Sequence, residues 1–369
     1  MKTPSGQVLS IQYLRGVAAV IVIGYHALGQ FDGFNRVLPT EVGASGVDMF
    51  FVISGFVMSY STRIHDYSRG AFLLRRAVRI VPIYWIATLV TASVLVLGAQ
   101  LVRHSVFAWD HFLASLFFIP MYNPGEPATI SPILKLGWTL NYEMYFYLIF
   151  AALVPVRPWL RMAIITVLFA VVVLAARLVP SAPAPLAFWG SPIVFEFLLG
   201  CAVAELYFSE TLKRVPRKVL GVAVLGAIAG LIAGGSGKVF GFDPIGGTRV
   251  LYFGIPAALL IASVIGFEQS KEAQRKRPVA LFIGDASYSI YLSHLYAVIS
   301  MRILWSRLAL PAEGLPWAFV FLVLCLLAGT ALGCLVYVCV ERPATAYIKA
   351  LVIRTPSRRV PATSRSSRR

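Results

Sequence analysis

Charge is scarce in this chain. Asp, Glu, Lys and Arg together make up 13% of its 369 residues, roughly half the share of a soluble domain. A soluble enzyme carrying one membrane anchor is thereby excluded. Acidic residues are the scarcest, 16 against 33 Lys and Arg. Cysteine is confined to Cys201, Cys325, Cys334 and Cys339, all in apolar segments and none in C-x-x-C spacing. That distribution argues against a disulfide framework or a zinc site, and no metal is expected. The alternating ten-residue strands of a membrane barrel are also missing, because the apolar runs are about 20 residues long. What the chain does have is 58% hydrophobic residues and a mean hydropathy of +0.77. The expected fold is all-α: a polytopic integral membrane protein.

Apolar length and basic flanks predict about ten transmembrane helices, near 10–29, 46–62, 80–99, 137–156, 162–180, 190–208, 219–235, 249–267, 286–305 and 317–340. The first apolar stretch follows Lys2 but has no clean small-x-small cleavage site and contains His26, so it is read as a retained span. The net charge of +17 does not point to nucleic acid, because its placement is a membrane signature. Of the 33 Lys and Arg, 24 fall in one set of alternate loops and the two ends. The positive-inside rule puts those loops and both termini in the cytoplasm. Residues 1–343 are expected to form the membrane domain and 344–369 a basic, disordered cytoplasmic tail. The outer segment 100–136 holds "FLASLFFIPMY", too short to span and expected to be re-entrant or interfacial. Two small-residue stripes, Gly226/Gly230/Gly234 and Gly329/Gly333, are read as helix contacts.

Ionisable groups inside spans cost about 2.5–3.5 kcal/mol even on the lenient insertion scale, so each is a candidate site residue. They are His26, Asp48, Glu143, Glu196, Glu205 and His294, with Arg15 and Arg302 nearer the span ends. Each also has a plain structural reading. Asp48 can cap its helix, Glu196 can pair with an interior partner, and Glu205 and Arg302 can snorkel. Arg75, Arg76 and Arg79 can be topology anchors. Arg15 and His26 share one helix face, about 16 Å apart along the axis. The expected topology sorts the groups by depth, with Arg15, Arg75, Arg76 and Arg79 at the inner level and His26, Asp48 and Glu143 at the outer. Arginines at an inner mouth suit phosphate, which they bind bidentately. A histidine with carboxylates suits acid–base chemistry, since a carboxylate can fix the imidazole tautomer. An acyl-coenzyme A, with phosphates at one end and a thioester on a long arm, would join the two levels.

"YLRGVAAVIVIGYHA", with its Arg-x10-His spacing, resembles the opening signature of the acyltransferase family 3 membrane proteins. "GVDMFFVISGFVMS", "FLLRRAVRIVPIYW" (Arg76 and Arg79 as Arg-x-x-Arg), "WTLNYEMYFYLIF", "ASYSIYLSH" and "ERP" resemble later blocks of the family, in order, over residues 8–343. The "WTLNYEMYFY" form looks closest to the bacterial exopolysaccharide O-acetyltransferases. The resemblance implies O-acylation, usually acetylation, of an envelope or exported glycan from cytosolic acetyl-CoA as co-substrate, at the bacterial inner membrane. Carried over by position, His26 would be catalytic, with Glu143 or Asp48 orienting it. Arg15, Arg75, Arg76 and Arg79 would hold the donor, and Trp138, Asn141 and Tyr142 the acceptor. Expected partners are the glycan acceptor (polysaccharide or lipid-linked oligosaccharide), membrane lipid and polysaccharide-assembly proteins. A glycan transporter or flippase is the alternative, though no inverted repeat is visible. A haem held by His26 and His294 is remote, because the two lie on different spans.

Overall fold

The apolar runs fold into helices that begin where the sequence supplies a start signal. Pro158, Pro278 and Pro316 occupy the first turn of three of them, where a missing N–H costs nothing. The computed structural model describes residues 8–30, 40–97, 106–236, 247–270 and 276–352. Among these, ten helices are 14 residues or longer. They are α1 (Leu9–Leu28), α2 (Ser45–Ile64), α3 (Arg69–Leu97), α4 (Trp138–Ala152) and α5 (Pro158–Leu178). The chain continues through α6 (Phe195–Phe208), α7 (Arg217–Gly235), α8 (Ile255–Gln269), α9 (Pro278–Arg307) and α10 (Leu315–Val336). Seven helical segments of the described residues are long and apolar enough to cross a membrane. The protein is thus a largely helical, multi-pass membrane protein.

The three long helices outside that set have physical reasons to be there. At 15 and 14 residues, α4 and α6 are about 21–23 Å long, short of a ~30 Å hydrocarbon core. They lie in the centre of the bundle, where Tyr142, Phe146 and Phe150 of α4 and Phe197 and Cys201 of α6 are completely buried. The Phe146 and Phe197 rings stack at 4.5 Å. Helix α9 is 30 residues long but carries Asp285, His294, Arg302 and Arg307. Ser287, Ser289 and His294 are fully buried against the bundle, while Asp285 and Arg307 are exposed.

Several boundaries differ from the expected ones. Helix α3 begins eleven residues before the predicted span, so the arginine-rich loop is helical and Arg75, Arg76 and Arg79 project from regular turns. Segment 106–136 forms an eight-residue helix, Trp109–Leu116, and a two-stranded antiparallel hairpin, Tyr122–Asn123 with Glu126–Ile130. That unit is tied to α3 by Tyr84 Oη donating to the Ser115 carbonyl and Trp85 Nε1 to that of Leu116, each at 2.9 Å. Helix α10 passes through a π turn, Tyr337–Glu341, into a further helix, Arg342–Val352. Residues 344–352, assigned from sequence to the tail, are therefore helical; 353–369 lie outside the described residues. A second π turn, Val250–Gly254, leads into α8.

The closest helix contact is one the glycine stripes did not point to. A Cβ on Gly55 would stand 1.9 Å from the Phe197 carbonyl oxygen, and one on Gly200 would stand 1.9 Å from that of Val52. Helices α2 and α6 therefore meet backbone to backbone, with no room for a methyl group. Gly329 and Gly333 of α10 do pack closely, against Ile23 and Ile290, whereas Gly226 faces open space. On α9, Gly284 abuts the backbone of Gln12 while Gly16 of α1 meets Gly284. Further along both helices His26 and His294 are neighbours, so α1 and α9 run side by side in the same direction.

Candidate active site

Three arginines and one glutamate converge on a cavity of ≈ 130 Å³ inside the bundle. Helical spacing delivers them. Gln12 and Arg15 are one turn apart on α1, and Arg15 Nη1 donates to Gln12 Oε1 at 3.1 Å. Arg76 and Arg79 are likewise one turn apart on α3, and Arg76 Nη2 donates to Ser61 Oγ at 3.0 Å. Glu143 and Tyr147 are one turn apart on α4 and hydrogen-bonded to each other. Ser54 of α2 donates to the same Glu143 oxygen at 3.0 Å. Tyr288 and Tyr291 of α9 close the wall. Their hydroxyls are fixed by carbonyls, Tyr288 donating to Ile80 at 2.9 Å and Tyr291 to Leu136 at 3.0 Å.

The charge in this cavity is unbalanced. Among the described residues, no ion pair reaches Arg15, Arg76 or Arg79, and Arg15 is buried. Placing uncompensated cations in a low-dielectric interior is costly. A ligand that brings negative charge removes that cost, and guanidinium forks match phosphate oxygens. A second cavity, ≈ 320 Å³, lies between the start of α1 and the end of α2 and is bordered by Tyr60, Ser61, His65 and Tyr67. It shares Ile11, Gln12 and Val57 with the first, so the two cavities are neighbours.

The structure regroups the residues that sequence reasoning had assigned. Arg15, Arg76 and Arg79 do share a cavity, whereas Arg75 is exposed outside it, its guanidinium 5.2 Å from the Tyr67 ring centre. Glu143 was expected at the level of His26 but lines the arginine cavity, held there by Ser54 and Tyr147. Asp48 was the other carboxylate expected beside His26. It is fully buried in a two-point ion pair, Arg249 Nε and Nη2 donating to its two oxygens at 2.8 Å each. Its capacity is thus taken by Arg249, whose Nη2 also donates to the Ala44 carbonyl at 3.2 Å.

The expected acceptor residues are packed inside the bundle. Tyr142 is fully buried, stacked on Phe188 at 4.2 Å and donating to its carbonyl at 2.7 Å. Trp138 sits edge-on to Phe51 and Tyr142, and Asn141 is buried. These contacts describe an aromatic core, not an open platform. Of the other intramembrane acids, Glu205 pairs with Arg63 at 3.6 Å. Glu196 is fully buried beside Gly254, and neither of its oxygens has a hydrogen-bond partner among the described residues.

His26 has a neighbour that sequence reasoning had set aside. Its ring centre lies 5.1 Å from that of His294 on α9. One turn before His294, Tyr291 reaches both places. Its ring is 6.0 Å from His294 and it also lines the arginine cavity. Arg15 and His26 of α1 thus belong to two separate groups, the arginines with Glu143 around the cavity and a histidine pair further along the helix. One signal could have located His294: it closes the "SYSIYLSH" run, whose serines mark a polar stripe on an otherwise apolar span.

Comparison with known proteins settles the class. Residues 8–339 match the acyltransferase domain family, and the chain belongs to it. Among characterised relatives, it is 36% identical over 309 residues to the exopolysaccharide production protein ExoZ of Rhizobium meliloti (strain 1021), covering 82% of this chain and 89% of that one. It is 27% identical over 314 residues to the acyltransferase MdmB of Streptomyces mycarofaciens, 78% of each chain. It is also 27% identical over 379 residues to nodulation protein 10 of Rhizobium leguminosarum bv. viciae, 95% of this chain and 96% of that one. No solved structure matches it. The protein is a membrane acyltransferase.

Proposed function

We propose that the protein is an O-acetyltransferase of the bacterial inner membrane, moving an acetyl group from cytosolic acetyl-CoA to a hydroxyl of an exopolysaccharide or its lipid-linked precursor. The observation that carries this reading is the cavity holding three guanidiniums against one carboxylate, with a second cavity beside it at the start of α1. Arg15, Arg76 and Arg79 bind the donor's phosphates, and the apolar walls accept its arm. At the deeper level His26 takes the proton of the acceptor hydroxyl as that oxygen attacks the thioester carbonyl. The C–S bond breaks and the proton passes to the departing thiolate. The exopolysaccharide relative supports a glycan acceptor.

The topology that goes with this reading has ten spans and both termini in the cytoplasm. The parallel course of α1 and α9 supports it, since first and ninth spans of a ten-span chain run in the same direction. Mass spectrometry of surface glycans from a deletion strain and its complemented parent tests the activity. Loss of O-acetyl groups on deletion, restored by the gene, is expected. Glycan export lost with acetylation intact would favour transport instead.

The donor site has its own test. Arg79→Ala and Arg76→Ala are each expected to weaken binding of CoA to the purified protein by about 10- to 100-fold, the worth of a charge-assisted contact. Isothermal titration would register it. Arg75→Ala, outside the cavity, is expected to bind CoA as the parent does.

A further inference from the structure

We infer that His294 is a positioning residue that sets the tautomer of His26 and shares the proton His26 acquires. The inference rests on the acyl-transfer reading above. His294 Nδ1 lies 2.7 Å from the Tyr291 carbonyl oxygen and 3.3 Å from that of Ile290. Carbonyl oxygens only accept, so Nδ1 carries the hydrogen. In the neutral ring, Nε2 is then a bare acceptor. That atom is buried and has no hydrogen-bond partner among the described residues. Leaving such a group unpaired in a protein interior is costly.

His26 is the group placed to use it. The ring centres are 5.1 Å apart with planes at 37°, close enough that a turn of the His26 side chain brings one of its nitrogens to Nε2. An N–H of His26 pointing at His294 Nε2 leaves the other His26 nitrogen unprotonated and turned toward substrate. This is the task a carboxylate performs in a serine-hydrolase triad, carried out by a neutral acceptor. When the acceptor hydroxyl gives up its proton, the pair holds one extra proton between two imidazoles until the thiolate takes it. The number of protons is unchanged across the cycle.

The surroundings leave this role to the histidines. Tyr25, edge-on to His26 at 5.0 Å, and Tyr291 border the pair from α1 and α9. Glu41 and Arg249 reach Tyr25. Helix α10 packs against α1 here through Leu322, Leu326 and Gly329, and α2 brings Phe50 onto Tyr291. Asp48 is held by Arg249 and Glu143 by Ser54 and Tyr147.

Nitrogen NMR of the full chain in lipid bilayers, with histidine isotopically labelled, reads the tautomers directly, the protein having five histidines. The His294→Gln spectrum assigns the His294 signal. Expected is His294 protonated at Nδ1, with Nε2 shifted by a hydrogen bond from His26. A His294 protonated at Nε2 would overturn the inference whatever any variant does.

Inverted membrane vesicles supplied with radiolabelled acetyl-CoA give the kinetic arm, read as label in native glycan. His294→Leu is expected to lose about 100-fold or more. His294→Gln, whose side-chain oxygen can accept in place of Nε2, should recover to within about tenfold of the parent. One proton held by the pair silences it, so the acid limb of log rate against pH should have a slope of about 1 in the parent, and its midpoint should move to lower pH in His294→Gln, whose amide cannot share that proton. An unmoved midpoint in His294→Gln would overturn the inference and leave the acyltransferase reading standing. No label in glycan with the parent protein would sink that reading instead.

Discussion

His26→Ala is expected to lower O-acetylation by about 10²- to 10⁴-fold, the usual contribution of a positioned general base, at unchanged membrane level. The chemistry requires this size of effect. A sugar hydroxyl is a weak nucleophile near neutrality, and its proton must leave as the C–O bond forms. Within the bundle, imidazole is the side chain that can take a proton and return it in the same turnover without a large energetic step. CoA affinity should change little, because His26 does not line the arginine cavity. Acetyl content of the surface glycan, measured beside CoA titration of the purified variant, separates the two. Full acetylation in the variant would remove His26 from the mechanism. Loss of both activity and CoA binding would point to a folding defect.

The largest effect on stability is expected from Arg249→Ala. Arg249 and Asp48 are buried and joined at two points, and Glu196, also fully buried, lies within electrostatic reach of both. Removing the guanidinium leaves two acids with no cation among them. Breaking one side of a buried pair costs about 3–5 kcal/mol, a large part of the stability of a typical domain. The ion pair joins the start of α2 to the turn before α8, so the loss should loosen that end of the bundle first. Thermal unfolding in detergent is expected to show a clear drop for Arg249→Ala. The double variant Arg249→Met with Asp48→Leu should recover much of it, since exchanging a whole buried pair for apolar residues is often neutral. A double variant as unstable as the single one would mean that Arg249 acts mainly through Ala44 and Glu196.

The sequence made the bundle legible because membrane solvation is a one-dimensional filter: twenty apolar residues and a basic flank mark a span wherever they fall. Arg15, Arg76 and Arg79 were legible as a group for a related reason, since topology alone puts them at one level. Partner choice was not. Asp48 and Glu143 stand at positions that depth assigns to His26, yet depth says nothing about rotation around the bundle axis. Rotation delivered Asp48 to Arg249, a residue 201 positions away, whereas for Glu143 the expected depth itself differs, because it lines the arginine cavity. The same blindness hid His294, whose approach to His26 depends on α1 and α9 lying side by side. The α2–α6 contact escaped because one glycine on each helix suffices for it, and a single glycine makes no stripe.

The cavity holding Arg15 has an electrical consequence. Arg15 lies six residues into α1, about 9 Å along its axis, roughly a third of the way through a ~30 Å core. In the proposed orientation, an anion travelling there from the cytoplasm moves toward the positive side of the membrane potential. A full crossing is worth ~2.3 kcal/mol per elementary charge at 100 mV, so a third of the field contributes about 0.8. That is about fourfold in donor affinity for each charge carried in. In that orientation an energised membrane favours loading of the proposed donor, and collapse of the voltage is expected to lower its affinity by the same factor.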